Sequence, residues 1–413
     1  MTAKLDTPLT PEEAASLAEE KPPLRIGRYA EATDVLRMRG LAVGMHLGIP
    51  NEAFTHGSIQ RLDGEAHHER RRLLAPLFSV EARRAYETEI LPPALRASTR
   101  RHATGGLPAE VDLVPLLRDA VIQISGAMIG LDGMDGPATV ERLLELAELV
   151  VPPVSARWTT NGAELIAKGL AARDAYIREL VAPARDRRRE LLARGDRPSR
   201  PDLLTLHLEA GSSDEAWQSE AIVFLAASLG TTLMTTLHAL LHLDGWVAAD
   251  PARAAQLEEL AFLRRAAAET VRLHPAIPEI VRFSVAEETV PASGRVIPAA
   301  TKIEVDPFAA DRDPDMYAPD PEVFDPERAV PERARDFGLG FGGGAHMCTG
   351  QRMAIESAQA TASEDAPVGV VPRLLWALYR AGVELDPGRP PAFVPGNRQG
   401  KIASFPARLL RLP

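Results

Sequence analysis

Only one stretch of this chain, Ala221 to Leu243, is long and apolar enough to resemble a membrane span. It also carries Ser228, four threonines, His238 and His242, and it lies in mid-chain without the aromatic and basic anchors that fix a span at a membrane surface. A helix apolar on nearly every side suits the buried centre of a soluble protein, so the rest of the chain is expected to wrap around it. The N-terminus shows neither the basic-then-apolar pattern of a secretory leader nor a lipid-attachment motif. The expectation is a soluble, cytoplasmic chain with no membrane contact.

The chain has 413 residues, 45% of them hydrophobic and 25% charged, which is ample for a large buried core and argues against wholesale disorder. A formal charge of -10 argues against a general nucleic-acid binder.

Thr10-Pro11-Glu12-Glu13 is a helix start, with Thr10 as cap, Pro11 in the first position and Glu13 in the third. That helix is expected to run to about Glu20 and to stop before Pro22-Pro23. A second helical pattern covers Tyr29 to Met38, and Gly44 to Arg61 reads as a loop. Helical patterns then follow over Glu65–Phe78, Glu81–Thr104, Val114–Leu131, Ala138–Val151, Asn161–Arg194 and Trp217–Leu273. From Pro275 to Thr301 short apolar runs alternate with Pro, Gly and Glu, as in small antiparallel strands, and Ala392 to Leu412 reads as a hairpin. The sum is a mainly α fold with minor β, with no repeat and no interdomain linker.

Cys348 is the only cysteine, so no disulfide can form within the chain. It sits in Phe341-Gly342-Gly343-Gly344-Ala345-His346-Met347-Cys348-Thr349-Gly350. Glycines let the backbone turn sharply and approach a flat ligand, leaving amides free to stabilise a thiolate. A buried, inert cysteine is the plain alternative. The whole pattern Phe-x-x-Gly-x-His-x-Cys-x-Gly resembles the haem-ligand loop of the cytochrome P450 family. That resemblance implies heme b (iron protoporphyrin IX) as cofactor, with Cys348 as its axial metal ligand and Phe341, Gly344, His346 and Gly350 around it.

The resemblance extends along most of the chain beyond about residue 24. His67 and Arg71, four apart on one helix face, resemble the family's propionate-binding helix, and Arg282 in Ile280-Val281-Arg282-Phe283 completes that set with His346. Without that context the Arg70-Arg71-Arg72 run would read as a solvated face. Glu269-Thr270-Val271-Arg272 and the later Arg328 resemble the family's buried Glu-Arg-Arg network and are assigned structural roles. The implied architecture is a single domain over 24–413, preceded by a 1–23 segment with a short helix, with a long central helix over the haem and small antiparallel sheets.

One departure stands out. The family's long helix carries an Ala-Gly-x-acid-Thr signature, whereas this chain reads Ala227-Ser228-Leu229-Gly230-Thr231-Thr232. Thr231 is kept and Gly230 replaces the acid, so Ser228, Thr231 and Thr232 are left as catalytic candidates for proton delivery. A fixed relay of this kind is worth roughly 10² to 10⁴ in rate. The other reading of these hydroxyls is that they back-bond to helix carbonyls.

The resemblance implies a haem-thiolate monooxygenase oxidising a small organic molecule of bacterial secondary metabolism. Its electrons are expected from a separate ferredoxin-type donor, because the chain has neither a flavin fingerprint nor an iron-sulfur cysteine cluster. Arg70, Arg72 and Arg352 are candidates for its docking surface. Two alternatives stay open: less usual haem chemistry, such as peroxide use, rearrangement or group transfer, or a noncatalytic helper of a partner enzyme. His238 and His242, four apart, have the spacing of a zinc pair but no third ligand, and read as packing. The substrate pocket is expected to draw on Gly44 to Arg61, Val150 to Leu170, Leu225 to Thr232, Pro278 to Val281 and the hairpin near Val394.

Overall fold

A computed structural model describes residues 9–18, 21–43, 51–357 and 366–413. In chain order the helices are α1 (Pro11–Ala18), α2 (Tyr29–Arg37), α3 (Glu52–Thr55), α4 (Gly64–Leu74), α5 (Val80–Ala85), α6 (Leu91–His102), α7 (Leu113–Ile129), α8 (Pro137–Val150), α9 (Gly162–Tyr176), α10 (Ala182–Ala193), α11 (Leu203–Glu209), α12 (Asp214–Ala249), α13 (Leu260–Leu273), α14 (Pro307–Ala310), α15 (Pro314–Tyr317), α16 (Gln351–Ala354) and α17 (Val370–Arg380). The strands are β1 (Leu24–Ile26), β2 (Leu41–Val43), β3 (Ala109–Asp112), β4 (Ile280–Ser284), β5 (Glu288–Thr289), β6 (Val296–Ile297), β7 (Lys302–Val305), β8 (Val383–Leu385), β9 (Ala392–Phe393), β10 (Ile402–Ser404) and β11 (Pro406–Leu409).

Local chemistry sets the helix starts. Thr10 and Glu13 form a reciprocal capping box, Glu13 N–H donating to Thr10 Oγ1 (3.2 Å) and Thr10 N–H to Glu13 Oε2 (2.9 Å). Ser213 caps α12 by accepting from Ala216 N–H at 3.3 Å. The expected end of α1 at residues 19–20 and the first part of the Gly44–Arg61 loop, residues 44–50, lie outside the described residues. The rest of that loop folds as α3 and a 3₁₀ turn at Ile59–Arg61.

The apolar stretch that passed as a membrane span lies within α12, 36 residues long, and 72% of its most apolar window is buried inside the molecule. Fully buried Leu225, Leu243 and Ala239 on α12 join Leu117 and Ile122 of α7, Phe262 and Leu263 of α13 and Leu374 of α17 in one core. Burying a side chain such as Leu contributes about 1.5–3 kcal/mol, so this helix is held by its neighbours and not by propensity.

The antiparallel strands expected within 275–301 are present, and the hairpin expected over 392–412 needs correction. The main sheet runs β1-β7-β4-β2, and its β1–β7 pair is parallel, Leu24 facing Ile303, while β4 pairs antiparallel on both sides. The stretch 392–412 is not one hairpin: β9 and β10 pair with each other, whereas β11 joins β3 and β8 in a separate sheet. A break after β10 lets alternate side chains of β11 enter the core at Ala407 and Leu409.

Outside the expected helical stretches lie α11 and α17, together with the one-turn helices α3, α14, α15 and α16. α17 starts at Gly369 (φ 105°), where the chain runs hard against the backbone of Ala354 and Ile355 and leaves no room for a side chain. The buried Glu87 carboxylate receives Val368 N–H and Gly369 N–H, both at 2.9 Å, and so docks this start against the π-helical segment Tyr86–Ile90 after α5.

Candidate active site

Between α12, α4, β4 and the Cys348 loop lies a cavity of about 270 Å³. Its walls include Thr231, Thr232 and Thr235 of α12, His67 and Arg71 of α4, Arg282 of β4, Gln60 from the 3₁₀ turn, and Phe341, His346 and Cys348 of the loop. Loop and α12 residues thus share one space, although more than a hundred positions separate them in sequence.

Cys348 sits deep in the molecule, yet its surface opens onto the cavity. Burial pushes its thiol above the ordinary range, and this is opposed by the Gly350 amide and by the positive charge of Arg71. Cys348 N–H donates to Phe341 O at 2.9 Å, which closes the loop. Gly344 adopts φ 64° with its Cα against the α2 backbone at Leu36, so only glycine fits there. Gly344 and Gly350 shape the loop without contributing to the cavity wall, while Phe341 does both.

The four cationic candidates converge. Arg71 Nη1 donates to Met347 O at 2.6 Å, tying α4 to the loop one residue from the cysteine. His67 and His346 rings stack with centroids 3.9 Å apart, and His346 Nε2 contacts Asp63 Oδ1 at 3.0 Å. His67 Nδ1 is buried without a partner, and burial, with His346 and Arg71 nearby, lowers its pKa to about 4. Arg282 is buried, its guanidinium donating to Val281 O at 2.9 Å, and burial, partly opposed by the charge of Asp63, lowers its pKa to about 10. Among the described residues no carboxylate pairs with it, and a buried guanidinium left unpaired is costly.

These residues fit a haem. The open thiol suits an axial ligand, and the glycines leave room above the loop. Arg282, which no described carboxylate contacts directly and Asp63 offsets only in part, suits the two carboxylates at the edge of such a plate together with Arg71 and the orphaned His67 nitrogen.

On α12 the three hydroxyl candidates separate. Thr231 and Thr232 reach the cavity wall, and Thr231 Oγ1 donates to Ala227 O at 2.6 Å. Ser228 does not: its Oγ lies 2.7 Å from Ser125 Oγ of α7 and donates to Phe224 O at 2.7 Å. Ser228 is one helical turn before Thr232, where α7 packs across α12 and takes up that hydroxyl. A Cβ placed on Gly230 meets no atom within 4 Å, so the acid's place is open space.

Arg70 is corrected. It is no part of a docking surface: its side chain is 15% exposed and its Nη1 donates to the fully buried Glu220 of α12 at 2.8 Å and to Gly57 O at 3.0 Å. Arg72, at 71%, and Arg352, at 66%, are exposed as expected. His238 and His242 are packing groups, with the His238 ring stacked on His274 at 4.4 Å and His242 on Phe324 at 4.6 Å. Among the described residues no three potential ligands converge on a metal position. Of the expected pocket segments, 150–170 and the hairpin near Val394 contribute no wall residue to this cavity. Sequence reasoning missed Gln60, since a lone glutamine carries no motif.

The cytochrome P450 family profile matches residues 247–361. Cytochrome P450 monooxygenase milC of Cordyceps militaris is 31% identical over 201 residues, covering 46% of this chain and 36% of its own. Cytochrome P450 BJ-4 of Bradyrhizobium diazoefficiens is 27% identical over 377 residues, covering 84% and 79%. The chain spans only 36% and 41% of the length of the first two curated relatives it matches. Among solved structures, P450BioI in complex with a hexadec-9Z-enoic acid ligated acyl carrier protein aligns over 94% of this chain and 93% of its own, with TM-score 0.72 and 16% identity. HmtT, involved in himastatin biosynthesis, aligns over 98% and 95% with TM-score 0.72 and 21% identity. Residues 247–361 thus carry the cytochrome P450 profile, and the chain as a whole has the fold of the solved P450 structures.

Proposed function

We propose that this chain is a haem-thiolate monooxygenase that oxidises a small, largely apolar molecule of bacterial secondary metabolism. The observation that carries the reading is the sole cysteine's thiol opening into a cavity that also gathers Arg71, Arg282 and His67. Bound there, the haem supplies dioxygen activation with the cysteine sulfur as electron donor.

The chain's own residues do the rest. Arg71, Arg282 and His67 hold the propionate edge. The apolar walls from Val43, Ile59, Ile277 and Ile280 exclude water and hold the substrate's carbon skeleton. The Thr231 and Thr232 hydroxyls stand where protons must pass, and with Gly230 in place of an acid the supply comes through water or a polar group of the substrate. The low-Lys, high-Arg composition supports a GC-rich bacterial source, and the similar structures of proteins involved in himastatin biosynthesis support secondary metabolism.

The covering of α12 as a core helix supports a soluble placement, which we take to be cytoplasmic. Electrons come from a ferredoxin-type protein docking near Arg72 and Arg352. Gly230 favours one second reading, chemistry that needs no relayed proton, such as peroxide-driven oxidation.

The test is purification with hemin and an absorption spectrum of the reduced CO complex. A thiolate-type spectrum that disappears in Cys348→Ser is expected. An unchanged spectrum in that variant, or a colourless protein after hemin addition, overturns the reading.

A further inference from the structure

Gln60 stands on the cavity wall; its Nε2 is buried without a partner, and its Oε1 makes no hydrogen bond among the described residues. A half-buried amide without partners is unusual enough to require an explanation. Looseness does not supply one, because the backbone on both sides is fixed. Ile59 N–H donates to Glu220 Oε1 at 2.8 Å, and Arg70 bridges Glu220 to Gly57 O. Beyond Gln60, Arg61 donates from Nε to Thr55 Oγ1 at 2.7 Å and from Nη2 to Asn51 Oδ1 at 3.1 Å. The buried Glu220–Arg70 pair thus clamps the turn that presents Gln60 to the cavity.

A second uncommitted group shares that space. Thr231 and Thr235 spend their hydroxyls on helix carbonyls, whereas Thr232 Oγ1 makes no hydrogen bond among the described residues. The cavity therefore offers an amide and a hydroxyl, both neutral, on otherwise apolar walls, apart from the cations assigned to the propionate edge.

From this we infer that Gln60 determines specificity, pairing with a neutral substrate that carries a carboxamide or lactam edge. A carboxamide is the complement that satisfies donor and acceptor together, while an isolated ketone or ether satisfies one. The Glu220–Arg70 clamp is the positioning device, fixing the amide before the ligand arrives. This rests on the reading of the cavity as the substrate site of a haem enzyme.

The experiment uses three probes of one ring skeleton: a dihydroquinolinone with a lactam edge, β-tetralone with a carbonyl alone, and tetralin with neither. Binding to the hemin-treated full-length protein is read by equilibrium dialysis, with the absorption spectrum recorded on the same samples. Wild type is expected to hold the lactam about tenfold tighter than tetralin, with β-tetralone between. Gln60→Leu is expected to lose about five- to tenfold on the lactam and nothing on tetralin. Gln60→Glu, nearly isosteric but without the donor, gives the same loss of preference should Gln60→Leu fail to fold.

No lactam preference in wild type, or a ratio unchanged in both variants, overturns the inference. If the protein takes up no hemin while the ratio still shifts with Gln60, the cofactor reading falls and the role of Gln60 stands. If a thiolate-type spectrum is present and the ratio does not shift, Gln60 falls alone.

Discussion

Glu269 and Arg272, three residues apart on α13, are joined at two points: Arg272 Nε to Glu269 Oε2 and Nη2 to Oε1, each 2.7 Å. Neither side chain reaches solvent to any extent, and Arg272 Nη1 also donates to Asp311 O and Pro321 O, both at 2.7 Å. Arg328 and Asp325 N–H reach the same Glu269 oxygen, at 3.4 and 3.1 Å. One carboxylate thus holds together α13 and the segment following α15.

Removing that carboxylate leaves two buried guanidiniums without an anion. Glu269→Ala is expected to cost about 3–5 kcal/mol of stability. Denaturant unfolding followed by circular dichroism measures it, and a loss under about 1 kcal/mol contradicts the network's role.

Glu220 gives a pH signature. Burial pushes its carboxyl up to about 7 from the usual 4.5, outweighing the hydrogen bonds and charge from Arg70 and the Ile59 amide. A carboxyl whose folded-state pKa is raised binds more protons folded than unfolded between those two values. Stability from this group is therefore full below about pH 4.5 and falls as pH rises to about 7. Glu220→Gln removes that component. The stability difference between wild type and variant should shift against wild type across this window, and a pH-independent difference contradicts it.

Open space at Gly230 makes the missing acid replaceable. Gly230→Glu should fold at least as well as wild type, since Gly costs about 1 kcal/mol against Ala within a helix. Product formed per electron consumed should rise in the variant when electrons come from a ferredoxin system, while peroxide-driven turnover stays level. No gain points to protons supplied by the substrate or to chemistry that needs no relay.

The arginines of the 70–72 run should behave differently from one another. Arg72→Ala and Arg352→Ala, at exposed sites, should slow reduction by a ferredoxin more at low salt than at high salt, without loss of stability. Arg70→Ala should instead destabilise the fold by about 3–5 kcal/mol, because it strands Glu220 in the core. Stopped-flow reduction and thermal unfolding on the three variants separate the two behaviours.

The sequence was most legible where chemistry repeats locally. The Cys348 loop, the Glu269–Arg272 spacing and the His67–Arg71 spacing each define a face or a turn without help from distant residues, and the structure brings each together. What it hid depends on neighbours far along the chain. Adjacent arginines point about 100° apart on a helix, but which of them meets Glu220 is decided by how α12 crosses α4. Ser228 shares the hydroxyl pattern of Thr231 and Thr232, yet α7 claims it one turn early. β11 alternates like a hairpin strand, and its partners β3 and β8 are set by long-range pairing. Gln60 matters because no described residue satisfies it, and no local pattern announces a missing partner.

A solitary thiol at the heart of the molecule has an experimental dividend. A thiol-selective alkylating reagent has one target per chain, Cys348, which it meets on the cavity wall. Mass spectrometry of labelled protein then counts, molecule by molecule, which pockets were blocked, so the chain carries a built-in occupancy gauge.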